Sequence, residues 1–169
     1  MTARGDRPTY PEIGATAGAL PDGYHHAVRS RVIGSGEQTF HRAADRLLGW
    51  QLQRRAGAGF RADSATAVPG ARVSVRVGWG PVGITAPCEV VYVVDEPRRR
   101  GFAYGTLPGH PVRGEEYFGV EWRADDTVLL TIKAFSRPAT WWARAGAPVA
   151  RLAQRRITDR YLRSLDDGS

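Results

Sequence analysis

Between residues 104 and 116 the chain places Tyr104, His110, Glu115 and Glu116 around one turn. The turn is Leu107-Pro108-Gly109-His110-Pro111, and His110 is the sole histidine outside the first quarter of the sequence. Two prolines stiffen the loop, and a stiffly held imidazole suits general acid or base work. The plainer role of a turn histidine is to bond a backbone carbonyl, and that is the favoured reading. Glu115 and Glu116 are adjacent, so on a strand they point to opposite faces and cannot work as a glycosidase pair. Glu116 shares its side with Phe118, Val120 and Trp122 and is the expected inner one. A carboxyl at the end of an apolar face can carry a proton or pair with an arginine, and the ion pair is favoured. Tyr104, on one face with Phe102 and Thr106, could orient a ligand carbonyl. His110, Glu116 and Tyr104 are therefore the candidate catalytic set.

A ligand lining extends this set. Tyr92 is expected to share a face with Cys88, Val90 and Val94. Tyr24, His26, Val28, Ser30 and Val32 give the mixed inner face of a first strand over residues 24–33. Trp141 and Trp142 can wall a pocket mouth. His26, Tyr92, Phe102, Tyr104, Phe118 and Trp141 are the expected ligand-binding residues. Cys88 has no recognisable His and Asn or Asp arrangement and reads as a small buried apolar residue. His25 and His26 point opposite ways on a strand, and no His/Cys/Asp spacing matches zinc or iron, so no metal is expected. Gly78-Trp79-Gly80-Pro81 has a proline where phosphate-cradling amides would be needed, and no cofactor is expected. Arg98-Arg99-Arg100 reads as a solvated turn.

These residues need elements to hold them. Residues 1–23, rich in Pro and Gly, read as an extended lead-in that docks through Tyr10 and Ile13. Ser35-Gly36-Glu37-Gln38 fits a capping box with Ser35 as N-cap. The helix that follows has Phe40, Ala43, Ala44, Leu47 and Leu48 on one stripe and should end near Gly57 or Gly59. A short strand over 60–64 and a turn at Pro69-Gly70 come next. Strands over 72–79, 88–95, 101–107, 115–123 and 127–136 follow, with turns at Gly80-Pro81-Val82-Gly83 and Asp125-Asp126. Short links between successive strands imply an antiparallel meander. Pro138 is expected to open a long C-terminal helical segment, with Val149, Ala153, Ile157 and Tyr161 as an i,i+4 ladder beyond Pro148. The plan is α+β: a curved antiparallel sheet wrapped around a long C-terminal helix, one domain over 24–166, with a pocket between sheet and helix.

Composition bounds the function classes. A chain of 169 residues is long enough for one real core. Net charge is +7, but the basic residues are almost all Arg, with Lys133 the one lysine, and they are spread along the chain. No helix-turn-helix, zinc or aromatic RNA-binding signature accompanies them, so nucleic acid is not the expected partner. Abundant Arg, Ala and Gly fit the codon bias of a GC-rich, bacterial genome. No apolar run approaches the roughly 20 residues of a membrane span, and the opening residues lack a secretory apolar segment. One cysteine excludes an internal disulfide and points to the cytoplasm.

Several stretches carry a family resemblance. They are Tyr10-Pro11-Glu12-Ile13-Gly14-Ala15-Thr16, Val91-Tyr92-Val93-Val94-Asp95-Glu96, Phe102-Ala103-Tyr104-Gly105-Thr106-Leu107-Pro108-Gly109-His110-Pro111 with Gly114-Glu115-Glu116, and Phe135-Ser136-Arg137-Pro138. The chain is similar, from Tyr10 to about Leu165, to the uncharacterised family called domain of unknown function nineteen-ninety. That family is grouped with the helix-grip superfamily of START lipid-transfer domains, birch-pollen allergens and polyketide cyclases. The resemblance implies the same fold and a hydrophobic cavity, sometimes turned to catalysis without a cofactor; it brings no agreed catalytic residues. The expected function is binding of a small, largely hydrophobic molecule between sheet and C-terminal helix. A cofactor-independent cyclase, isomerase or hydrolase using His110 and Glu116 is the alternative. A basic-surfaced interaction protein with a filled core is the third.

Overall fold

Alternating apolar and polar residues build seven strands; two helices follow the first, and short links without helices join the remaining six. A computed structural model of the chain describes residues 7–56, 59–77 and 83–139. In order these form β1 (His25–Ser35), α1 (Glu37–Leu48), α2 (Gln51–Ala56), β2 (Arg61–Ala62), β3 (Arg72–Val77), β4 (Ile84–Glu96), β5 (Arg99–Thr106), β6 (Val112–Trp122) and β7 (Thr127–Pro138). The strands make one antiparallel sheet in the order β1-β7-β6-β5-β4-β3-β2. From β2 to β7 it is the expected meander. β1 instead lies along β7, in register from His25↔Ser136 to Ser35↔Thr127.

Residues directly opposite one another in a ladder share a face. Val73, Cys88, Val90, Phe102, Phe118, Val120, Leu130 and Ile132 therefore form one apolar face, which we call inner. It packs against Phe40, Ala43, Ala44 and Leu47 of α1, the stripe read from the sequence. Burying each of the two phenylalanines is worth about 1.5–3 kcal/mol.

Four local expectations are corrected by tertiary demands. Ser35 does not cap α1; it ends β1, and Gly36, with φ 85°, occupies the cap position without a side-chain bond. A one-residue change from strand to helix needs a positive φ that glycine adopts at least cost. The helix stops at Leu48 rather than near Gly57, and Trp50 takes φ 66°. That break drives the indole into the core, where Nε1 donates to the Ser64 carbonyl at 2.9 Å and the ring meets Phe102 edge-on at 5.1 Å. The face of β1 bearing His26, Val28 and Val32 turns outward: Val28 is 51 % and Val32 52 % exposed on an edge strand with one partner. β7 runs through Pro138, opposite Val112, so this proline closes a strand instead of opening a helix. The C-terminal helix expected beyond it, with Trp141 and Trp142, lies outside the described residues, as does most of the 80–83 turn.

Candidate functional site

The two adjacent glutamates of β6 organise the two faces of the sheet. Glu115 points to the outer face, where it is 3 % exposed. The segment 9–18 crosses that face and closes on it. Tyr10 Oη donates to Glu115 Oε2 at 2.6 Å and the Gly14 amide to the same oxygen at 2.7 Å. The Thr16 amide and hydroxyl donate to Oε1 at 3.0 and 2.5 Å. One carboxylate thus collects four donors from a single strap, enough to satisfy it in a buried place. Burial, and then the bond to Glu115, push the Tyr10 phenol above its usual value. Tyr10 lies over Gly105, where a Cβ would come within 2.0 Å of its hydroxyl, so the strap needs glycine beneath it. Ile13, expected to dock, is 54 % exposed; Thr16 and the turn Ala15–Ala17 make the anchor instead.

Glu116 points inward, as its alternation with Phe118 and Val120 requires. Tyr104 stands directly opposite it and donates to Oε2 at 3.2 Å. The expected arginine partner is not found among the described residues; Tyr104 fills that place. The packing around Glu116 changes from bulky to small. Its neighbours toward α1 are Phe102, Phe118 and Ile132; Ala134 lies beside it in its own row, and Cys88, Thr106, Gly114 and Ser136 lie on the other side. A second buried polar group sits on the same side of the sheet. Gln53 of α2 is 2 % exposed, and neither its Oε1 nor its Nε2 is hydrogen-bonded. Such a pair of orphaned atoms is rare and calls for a partner. No sequence signal singled it out.

His110 engages its own loop. Nδ1 lies 3.1 Å from both the carbonyl oxygen and the amide nitrogen of Val112. Burial lowers its pKa to about 4, with the Val112 bond acting the other way, so the ring is neutral at pH 7. Burial raises the Glu116 carboxyl to about 7, partly offset by the Tyr104 bond.

These two groups give opposite pH slopes. Between pH 4.5 and 7 the folded state keeps a proton on Glu116 that the unfolded chain has released, so stability falls as pH rises through that window. Between pH 6.5 and 4 the unfolded chain protonates His110 while the folded state does not, so stability falls as pH drops. Glu116→Gln should therefore gain on the wild type as pH rises from 5 to 8, by up to about 3 kcal/mol. His110→Asn should gain on it as pH falls from 7 to 4. Melting curves across pH check both, and pH-independent differences would contradict the assignment.

The remaining expected lining residues divide between faces. Phe102, Tyr104 and Phe118 are inner and packed together, with ring centroids 5.4 to 6.0 Å apart. Tyr92 is outer, opposite Ala103, because a bulge between Val90 and Tyr92 reverses the alternation expected from Cys88 and Val90. Its hydroxyl meets Thr16 Oγ1 at 2.8 Å, and burial raises its pKa to about 12. His26 is also outer, paired with Phe135, and its Nε2 lies 2.7 Å from the Pro21 carbonyl. An open groove of about 220 Å³ lies on that outer face, lined by Thr16, Tyr92, Tyr117 and Lys133 among others. Cys88 is buried, and burial raises its thiol pKa, which removes it as a nucleophile. Among the described residues no group of three His, Cys, Asp or Glu could hold a metal ion, and no helix is long and apolar enough to cross a membrane.

Comparison with known proteins agrees with this architecture. The family described as "Domain of unknown function (DUF1990)" matches residues 9–164. A "UPF0548 protein" of Deinococcus radiodurans is 36% identical over 176 residues, covering 96% of this chain and 88% of that protein. A hypothetical protein from Helicobacter pylori, solved by crystallography, has a TM-score of 0.62 at 12% identity, over 98% of this chain and 96% of its own. Major latex-like protein 151 from Panax ginseng has a TM-score of 0.56 at 14% identity, over 85% of this chain and 95% of its own. At these identities the two structures are likenesses of fold.

Proposed function

The chain belongs to the family described as Domain of unknown function (DUF1990), and we propose that it binds a small, largely apolar molecule against the inner face of its sheet, beside Tyr104 and Glu116. The observation that carries this reading is Glu116 itself: an ionisable carboxyl set on an apolar face, with a tyrosine hydroxyl for its partner. A chain selected for stability alone would place an apolar side chain there, because an ionised carboxylate is costly among apolar neighbours. The step to small residues at Thr106, Gly114, Ala134 and Ser136 puts little side-chain bulk beside the carboxyl, and Gln53 adds polar atoms on the same side. An apolar site with a few placed polar groups is the usual composition of a small-molecule pocket. In this reading residues 24–166 are one helix-grip domain, and the far wall is the helical C-terminal segment expected from the sequence.

The enzyme reading gains less support. His110 is neutral and holds its own loop, so a proton-transfer role would fall to Glu116 with Tyr104 orienting. Native mass spectrometry of freshly purified protein, followed by denaturation, tests the binding reading. A stoichiometric apolar molecule is expected from the wild type and should be lost when Ala134→Trp fills the space beside Glu116. Equal retention by Ala134→Trp would contradict the assigned place.

A further inference from the structure

The charge around Glu116 restricts what can sit beside it. The chain has 24 Lys and Arg residues, yet the ladder row through Glu116 reads Val90, Tyr104, Glu116, Ala134, Ala27. The row toward α1 reads Val93, Phe102, Phe118, Ile132, Arg29, and the row on the other side Cys88, Thr106, Gly114, Ser136, His25. Among the described residues, titratable nitrogen enters these three rows only at the edge strand β1, where Arg29 and His25 are exposed and Arg29 donates to the Val28 carbonyl. Tyr104 gives one oxygen of the carboxylate a donor; among the described residues no cation is paired with either oxygen. A carboxylate in apolar surroundings attracts a cation more strongly than it would in water and repels an anion as strongly.

We propose that the molecule bound here carries a protonated amine, a primary or secondary ammonium group on an apolar body, seated on Glu116. This rests on the binding reading above and narrows its ligand class. An apolar carboxylic acid is disfavoured by the same carboxylate.

Three probes of one chain length separate the possibilities: octylamine, octan-1-ol and octanoate, each titrated into the wild-type protein by calorimetry at pH 7.5. The protein's net charge of +7 works against the amine and for the acid, so unspecific electrostatics would favour octanoate. The proposal expects octylamine to bind at least about tenfold more tightly than octanoate, with octanol between. Glu116→Gln should bring the three within about twofold, while Glu121→Gln, on the outer face, should leave the order intact. Octanol binding as well as octylamine, or an amine preference unchanged in Glu116→Gln, would overturn the amine and leave the apolar site standing. Failure of all three probes to bind would overturn the site and the amine together. The wild-type ranking decides the matter even if Glu116→Gln proves unstable.

Discussion

Glu115→Ala should destabilise the protein by about 3–5 kcal/mol and release the strap. The substitution removes the acceptor of four hydrogen bonds at once. It leaves the Tyr10 hydroxyl and the amides of Gly14 and Thr16 as unpaired donors over a buried face, each costing about 1–3 kcal/mol if water cannot reach it. Part of that is recovered if segment 9–18 lifts away, so the measured loss should lie below the sum. Two readouts distinguish this from a general loss of packing. Hydrogen exchange at residues 9–18 should quicken by orders of magnitude, while the Tyr104–Glu116 side of β6 keeps its protection. Glu115→Gln, which retains one acceptor oxygen, should lose less. Unchanged exchange in the strap of Glu115→Ala would show that its other ties hold the segment without the carboxylate: Tyr10 edge-on to Phe135 at 5.5 Å, the Thr9–Thr106 bonds and the Thr16–Tyr92 bond.

Gly114→Ala should cost about 3 kcal/mol or more. Gly114 has φ 157°, and a Cβ there would lie 1.9 Å from the Phe135 carbonyl oxygen and 2.8 Å from Ser136 Cα. Both obstacles are backbone of β7 and cannot rotate aside. The β6–β7 ladder would have to open where Gly114 pairs with Ser136, and the bond from the Gly114 amide to Thr106 Oγ1 at 3.1 Å would be strained with it. Because Gly114 precedes both glutamates, the damage should reach both faces. Gly18→Ala, whose Cβ would meet open space, is the matched control and should be close to neutral in chemical denaturation. A Gly114→Ala variant as stable as that control would mean that the two strands separate more freely here than the register implies.

How far the sequence led depends on the range of the interaction. The meander of β2 to β7 and the buried stripe Phe40, Ala43, Ala44, Leu47 were legible because period-2 and period-3.6 patterns are local. Alternation with Phe118 and Val120 made Glu116 the expected inner glutamate; its place opposite Tyr104 depends on the β5–β6 register, which no local pattern encodes. Alternation failed at Tyr92, since a bulge adds one residue and reverses every side chain after it, and no residue type near Val91 announces that. It failed at β1 for another reason: the pattern in Val28 and Val32 says which residues share a face, not which face the core occupies. Glu115 was hidden because its four donors lie about a hundred residues away in sequence, and only the co-occurrence of Tyr10, Gly14 and Thr16 with Glu115 in one chain could have suggested the latch. Gln53 gave no signal because glutamine on a short helix is ordinary until its burial is known.

The most direct measurement of the central claim is a residue-by-residue NMR titration of the isotope-labelled protein with octan-1-ol. Saturable shifts are expected at Thr106, Gly114, Glu116 and Ala134 on the inner face, with Tyr92, Tyr117 and Thr131 on the outer face unmoved. Shifts confined to the outer groove would contradict the account by placing the ligand on the strap side, and shifts nowhere would remove the binding site altogether.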